Sequence, residues 1–526
     1  MTRQPARLAG FLLIGVRHHD QSTDLRPWHR ADPARQLSSA AAATSSRSAR
    51  RAAAARRPSA SFGVLGLPGA ATRETRDRIR AAVLNSGLPW PPRAITVSLF
   101  PDSLPKYGSG FDLSIAIAVL AAAGVIPGDA VGACVFVGEL GLDGGLRPVR
   151  GVLPALTAAA SAGCTRAVVP AGNAAEAMMV PGLAVVPCRS LRAVLACLHG
   201  EPPVSQPEVP APDVPPAVGL AGLGAGPLVR LAAEVSAAGG HHLGLAGPRG
   251  TGIPALAAGL AALLPLLSPE DALKVSAIYS AAGLLGPGRA QVTRPPFRAP
   301  HHTATPAGIA GGGSGIIRPG EAALAHRGVL FLANAPEFAR SVLDVLRQPL
   351  RDGDITIARS GSTARFPARF TFIAGMSPCP CGTRPGCTCT SLQARRYRAR
   401  LASPLGSYIP LWLTITPDSP NPGQPYDANE SAGRVAAARD RARHRLRDTP
   451  WQVNADIPVA DLRRSWPPPA EALAPVSRAV DLGEISTRTA GQVIRVAWTL
   501  ADLAGRDQPG PAECGQALAF HLGVTR

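Results

Sequence analysis

Gly247-Pro248-Arg249-Gly250-Thr251-Gly252-Ile253-Pro254 is the stretch whose reading decides the fold. It follows an apolar run, His242-Leu243-Gly244-Leu245-Ala246, that reads as a buried strand, and precedes residues 255–264, which read as a helix. Strand, glycine-rich loop and helix in that order form the context of a phosphate-binding P-loop. Gly247 and Gly252 are separated by four residues, as that motif requires, yet the Lys and Ser/Thr that should follow are Ile253 and Pro254. A P-loop Lys reaches the β- and γ-phosphates and the hydroxyl ligates magnesium. Ile253 brings no charge, and Pro254 brings neither a hydroxyl nor a backbone N–H. Proline is tolerated in the first turn of a helix, so the three elements can survive without the phosphate chemistry. The nucleotide contacts this loop still offers are Gly247, Gly250, Thr251 and Gly252.

Outward from the loop, 526 residues predict two to four domains. A hydrophobic share of 46% is enough for ordinary cores. Lys+Arg outnumber Asp+Glu by 54 to 35, a formal charge of +19 that permits contacts with nucleic-acid phosphates. Dispersed arginine, much of it near the N-terminus, is the competing reading. Lys106 and Lys274 are the two lysines; with abundant Ala, Gly and Pro this points to a GC-rich coding sequence. Drift there exchanges Lys for Arg, so Ile253 needs another explanation. No apolar run is long enough to span a bilayer, and the nine cysteines lack the arrangement of a secreted disulfide framework. A soluble cytoplasmic protein without a membrane partner is expected.

Residues 1–60 are unmatched. An apolar run at 8–16 lies behind Arg3 and Arg7, and 36–60 is nearly all Ala, Ser and Arg, which predicts disorder or a poorly formed first strand. From Phe62 the pattern alternates strand and helix: strands around 62–65, 94–99, 133–140 and 166–170, helices over 72–84, 108–123 and 153–161. Residues 201–218 are a Pro-rich, semi-rigid linker. A helix over 228–238 leads to His241-His242, a pair that can be read as metal ligands or as a structural entrance to the strand. A second apolar strand closes at Leu332 and is followed by Ala333-Asn334. Cys379, Cys381, Cys387 and Cys389 form C-x-C-x5-C-x-C; four thiols within eleven residues can surround a tetrahedral zinc, or remain reduced thiols in a loop. Residues 417–428 are a polar linker. The helix over 432–447 carries Arg434, Arg439, Arg441, Arg443, Arg445 and Arg447, either against DNA phosphates or as a solvated face.

Several runs carry a resemblance: Gly66-Leu67-Pro68, Arg80-Ala81-Ala82-Val83-Leu84-Asn85-Ser86-Gly87, Phe297-Arg298-Ala299-Pro300-His301-His302, Pro336-Glu337-Phe338 and Met376-Ser377-Pro378-Cys379-Pro380-Cys381-Gly382. Over about 61–526 they resemble the YifB/ComM family of magnesium-chelatase-like AAA+ proteins. The resemblance implies an α/β fold with a Lon-protease-like (ribosomal S5 domain 2-like) N-terminal domain over 61–200. It further implies an AAA+ P-loop α/β core over 219–416, a linker with the basic helix over 417–455 and a C-terminal helical lid over 456–526. It also implies ATP with magnesium as cofactor, a hexameric ring, and DNA helicase or branch-migration activity in natural transformation. Lon-like proteolysis needs a Ser nucleophile and a Lys; Ser109 is out of register, and the Lys position falls near Leu153.

The same alignment implies losses. The Walker B Asp-Glu falls on Ala333-Asn334, the sensor Asn on Ser377, and the arginine finger on Tyr408; a sensor arginine remains at Arg488. Losing a general base costs roughly 10²–10⁴ in rate and losing an arginine finger about 10³–10⁵, not additively. The expectation is a chain without catalytic residues, a pseudo-ATPase that binds DNA or joins a homo- or hetero-hexamer with an intact relative. The alternatives are an ATP-binding, active member with rearranged residues and a decaying gene product.

Overall fold

The computed structural model describes residues 13–18, 62–65, 69–92, 94–100, 106, 108–132, 134–201, 226–285, 291–313, 316–359, 362–383, 386–415 and 428–523. The linker expected at 201–218 lies outside them except for Glu201, as do 416–427 and all of 1–60 but 13–18. The chain divides into two compact units: residues 1–212 with 279–291 and 358–363, and the remainder.

In the first unit, Leu13–His18 is a strand, paired antiparallel with Ile95–Phe100; Phe62–Leu65 pairs parallel on the other edge. The stretch 36–60, read as disorder or a poorly formed first strand, lies outside the described residues. Asp112–Ala122 forms a helix because its run is apolar on every side: Leu113, Ile115, Ala116, Ile117, Val119 and Leu120 are all buried. The stretch read as one strand over 133–140 is two, Cys134–Phe136 and Glu139–Leu140. The break lies at Val137 and Gly138, whose N–H groups donate to Val168 and Gly110. A Cβ on Gly138 would stand 3.1 Å from Pro170. Cys134–Phe136, Arg166–Pro170 and Ala184–Cys188 make a parallel three-stranded sheet. Asp112 is buried and held by both arms of Arg78, at 2.6 and 3.2 Å. Ser109 donates to the Glu139 carboxylate, and Leu153 is wholly buried at the start of its helix. No protease dyad is formed there.

The second unit is an α/β core with a C-terminal helical region. Its sheet is parallel throughout, in the order Phe297–Arg298, Val329–Leu332, Thr371–Met376, Leu243–Ala246, Leu411–Thr414. The first strand in the chain therefore lies between the fourth and fifth. These strands read as unbroken apolar runs because both faces are covered. Gly244 is required by a close approach: a Cβ there would fall 2.3 Å from the Trp412 ring. Leu243, Leu245, Ile253, Leu256, Leu260, Phe331 and Ile373 form one core with Val493, Val496, Leu500 and Phe520 of the C-terminal helices Thr487–Leu503 and Pro511–Leu522. Among the described residues no helix is long and apolar enough to cross a membrane.

Candidate nucleotide loop and thiol cluster

Strand register gathers the candidate positions. Ala246 stands opposite Met376 and Thr414, and Leu332 opposite Ala374. The loop after Ala246, Ser377 after Met376, and Ala333-Asn334 after Leu332 therefore share the carboxyl end of the sheet. Parallel sheets bind ligands in that crevice, where the strand order reverses.

Gly247, Gly250, Thr251 and Gly252 come together as one turn leading into the helix Ile253–Leu263. Gly250 and Gly252 have φ of 89° and 75°, a backbone that side chains oppose. Much of the loop's donor capacity is engaged within the protein. Gly247 N–H donates to Met376 O (3.1 Å), Arg249 N–H to Gly382 O (3.1 Å) and Thr251 N–H to Pro248 O (3.4 Å). The Thr251 hydroxyl also donates to Pro248 O, at 2.8 Å.

Ile253 explains itself by packing. It is 9% exposed and belongs to the apolar core. A Cβ on Gly375 would come within 2.9 Å of Ile253 Cγ2 and 3.1 Å of the Phe331 ring. The position where a P-loop carries its cation is thus an apolar contact between helix and sheet. Ala333 packs against the same core. Asn334 is exposed and left-handed (φ 53°), a conformation Asn tolerates. Its carbonyl accepts from Glu337 N–H at 2.7 Å. Ser377 is buried.

Arg488 is not brought to the loop. It opens the helix Thr487–Leu503 with its guanidinium over the Tyr408 ring, 5.5 Å from the centroid. Gln492, one turn on, donates to Ser407 O at 2.9 Å. Arg488 shares a cavity with His241, His242, Tyr408 and Pro410, which precede the strands. It therefore lies at the amino end, a sheet's length of roughly 13 Å from the loop. Its neighbour Tyr408 is the position onto which the expected arginine finger falls.

The four thiols do converge. Cys379 Sγ lies 3.2 Å from Cys381 Sγ and 3.4 Å from Cys387 Sγ, and Cys381 to Cys387 is 3.5 Å. With Cys389, all four sulfurs fall within 4.8 Å of one another. Tetrahedral Zn–S bonds of about 2.3 Å require sulfur separations near 3.8 Å, so the set fits a structural zinc. Thr383 donates its hydroxyl to Cys381 Sγ at 3.2 Å, and with its N–H draws that thiol down to about 5, whereas burial first, and then its sulfur neighbours, push the Cys379 thiol up. Gly382, inside the cluster, is the residue whose carbonyl receives Arg249. Sequence spacing located the thiols; it held no signal for this tie to the glycine-rich loop.

The histidine pair is structural. His241 Nε2 is 2.8 Å from Thr499 Oγ1, and His242 Nδ1 accepts from Phe372 N–H at 3.1 Å. The basic helix, Ala428–Arg445, is largely engaged inside the unit. Arg434 pairs with Glu234 (3.2 Å), Arg439 donates to Ala237 O, Arg441 to Asp502 O, and Arg445 to the Asp502 carboxylate. Arg434 and Arg441 stay exposed even so, as do Arg443 and, just past the helix, Arg447, each of the last two beside an aspartate.

Comparison with known families matches residues 225–421 to magnesium chelatase, subunit ChlI. Residues 52–173 match subunit ChlI of Mg-chelatase, and 426–521 the subunit ChlI C-terminal region. The chain is 42% identical to the Mycobacterium tuberculosis protein Rv2897c over 463 residues, covering 87% of this chain and 92% of that one. It is 37% identical to Escherichia coli YifB over 456 residues, 84% and 88% of the two chains. It is 33% identical to the competence protein ComM of Haemophilus influenzae over 481 residues, 88% and 92%.

Proposed function

The chain belongs to the magnesium-chelatase-like AAA+ family of YifB and ComM, and from this premise we propose that it is a non-hydrolysing member that joins a ring with an intact relative. One observation carries the reading: Ile253 is packed into the core against Gly375 and Phe331, where a P-loop would carry its phosphate-binding cation. The surroundings agree. Pro254, Ala333 and Asn334 supply neither hydroxyl nor carboxylate, so the residues at the carboxyl end do not fit magnesium-ATP. Arg488 lies at the other end of the sheet beside Tyr408, away from its own loop. DNA is the polymer such a ring acts on in this proposal, in keeping with the +19 charge.

Mixing the purified chain with an intact relative from the same cell tests the assembly. A tag on one chain should carry the other with it through purification, in an oligomer of ring size; strictly separate elution at micromolar concentrations sinks the ring-partner role.

The thiol cluster enters the proposal as a structural zinc site held by Cys379, Cys381, Cys387 and Cys389. When bound, the ion would supply cross-links and no chemistry, since all four positions are protein ligands. Protein purified under reducing conditions should hold one zinc per chain, and Cys379→Ser with Cys387→Ser should lower that to background. A metal-free wild-type chain with the same thermal stability as a zinc-loaded one contradicts the assignment.

A further inference from the structure

At the amino end of the second unit's sheet lies a cavity of about 740 Å³, within the range of small-molecule sites. Its walls include Arg327, Arg369, Arg439, Arg443, Arg488 and Arg495, against the carboxylates of Asp271 and Asp456. Three of the arginines have a carboxylate partner: Arg327 pairs with Asp271 at 3.1 Å, Arg369 with Asp456 at 3.0 Å and Arg443, on the exposed side, with Asp440 at 2.6 Å. Arg439 and Arg495 differ. Arg439 donates through Nε and Nη2 to Ala237 O at 2.9 and 2.7 Å, and Arg495 through Nε to Ile457 O at 2.6 Å. Backbone carbonyls fix these guanidiniums in place without cancelling their charge. Among the described residues neither is in an ion pair, and the Asp456 carboxylate acts on both only through space; a partly buried cation so placed is costly, and an anion in the cavity would offset that cost.

Two further features point the same way. Arg327 is held in the left-handed region (φ 60°), rare for such a residue and characteristic of ligand-binding sites. Loss of water, and then the nearby Arg443 and Arg327, bring Arg439 down to about 10, while loss of water lowers Arg495 too. The charge is thus concentrated where solvent does least to screen it.

We infer that this cavity is a second ligand site, binding a compact polyphosphate, inorganic or carried by a nucleoside, through Arg439, Arg443, Arg488 and Arg495. Arginine forks match phosphate oxygens in pairs. The site is separate from the glycine-rich loop and does not depend on whether that loop holds nucleotide.

The test is calorimetric titration of the full chain with tripolyphosphate, with ATP in parallel. Saturable binding of tripolyphosphate is expected, weakened at least tenfold in Arg495→Gln and in Arg439→Gln. Arg443→Glu, on an exposed face, should weaken it similarly with the circular dichroism spectrum unchanged, which guards against misfolding. Gly250→Asp, which puts a carboxylate in the glycine-rich loop, should leave it intact. Equal affinities for tripolyphosphate and ATP would assign the phosphate chain alone; tighter ATP would assign a nucleoside-bearing ligand. Absence of saturable binding overturns the inference. So does binding that Gly250→Asp abolishes and the three arginine variants leave unchanged.

Discussion

Asp502→Ala should cost about 3–5 kcal/mol of unfolding free energy, the effect of breaking a buried pair by removing one partner. Asp502 is 1% exposed, within the helix Thr487–Leu503. Its carboxylate accepts Arg445 at both oxygens, each at 2.7 Å, and Asn454 Nδ2 at 2.8 Å. Arg445 also reaches Asn454 Oδ1 (2.8 Å) and lies 4.4 Å over the Trp498 ring. Without the carboxylate, a shielded guanidinium and an amide lose their acceptor together. Urea denaturation measures the loss. The double variant with Arg445→Ala should recover part of it, because the stranded charge is gone. A loss below about 1 kcal/mol would place the pair with ordinary surface bridges.

Acidification should destabilise the second unit strongly, beginning near pH 6.5. Burial holds His241 and His326 near 3 and His242 near 4, against an ordinary 6.5, so all three are folded in the neutral form. His326 Nδ1 accepts from Arg369 N–H at 3.1 Å, as His242 Nδ1 does from Phe372, and protonation would remove both acceptors. Between the two sets of values the unfolded chain binds protons that the folded chain refuses, so stability is full above pH 6.5 and falls as pH drops towards 4. Three such groups amount to on the order of 6 kcal/mol between pH 7.5 and 5. Thermal melts across that range check it. His326→Gln, which can keep an acceptor, should flatten the dependence by about one third. Stability that is level from pH 7.5 to 5 contradicts the burial of neutral imidazoles.

The glycine-rich loop was legible because its cues are local: an apolar run, glycines at fixed spacing, a helix opening on proline. The thiol cluster was legible for the same reason, since all four cysteines lie within eleven residues. Arg488 shows the limit. Its kinship to a nucleotide sensor is a sequence property, but the end of the sheet it reaches depends on how the helix Thr487–Leu503 docks against Ser407 and Tyr408. The basic helix shows another. Six arginines read alike in sequence, yet a neighbouring carbonyl or carboxylate of another element engages four of them, and only Arg439 and Arg445 are thereby drawn out of solvent. The cavity arginines lie between positions 327 and 495, and no spacing rule joins them. Ile253 is the instructive case: loss of charge was visible, whereas its replacement role, apolar contact with Gly375 and Phe331, required the fold.

The most direct test of a non-hydrolysing chain is ATP turnover by the purified protein with magnesium, with and without single- and double-stranded DNA. The account predicts phosphate release no greater than that of a matched Gly250→Asp preparation, and no stimulation by DNA. Turnover comparable to an intact relative, stimulated by DNA and lost in Gly250→Asp, would contradict it and return the loop at 247–252 to the list of working nucleotide sites.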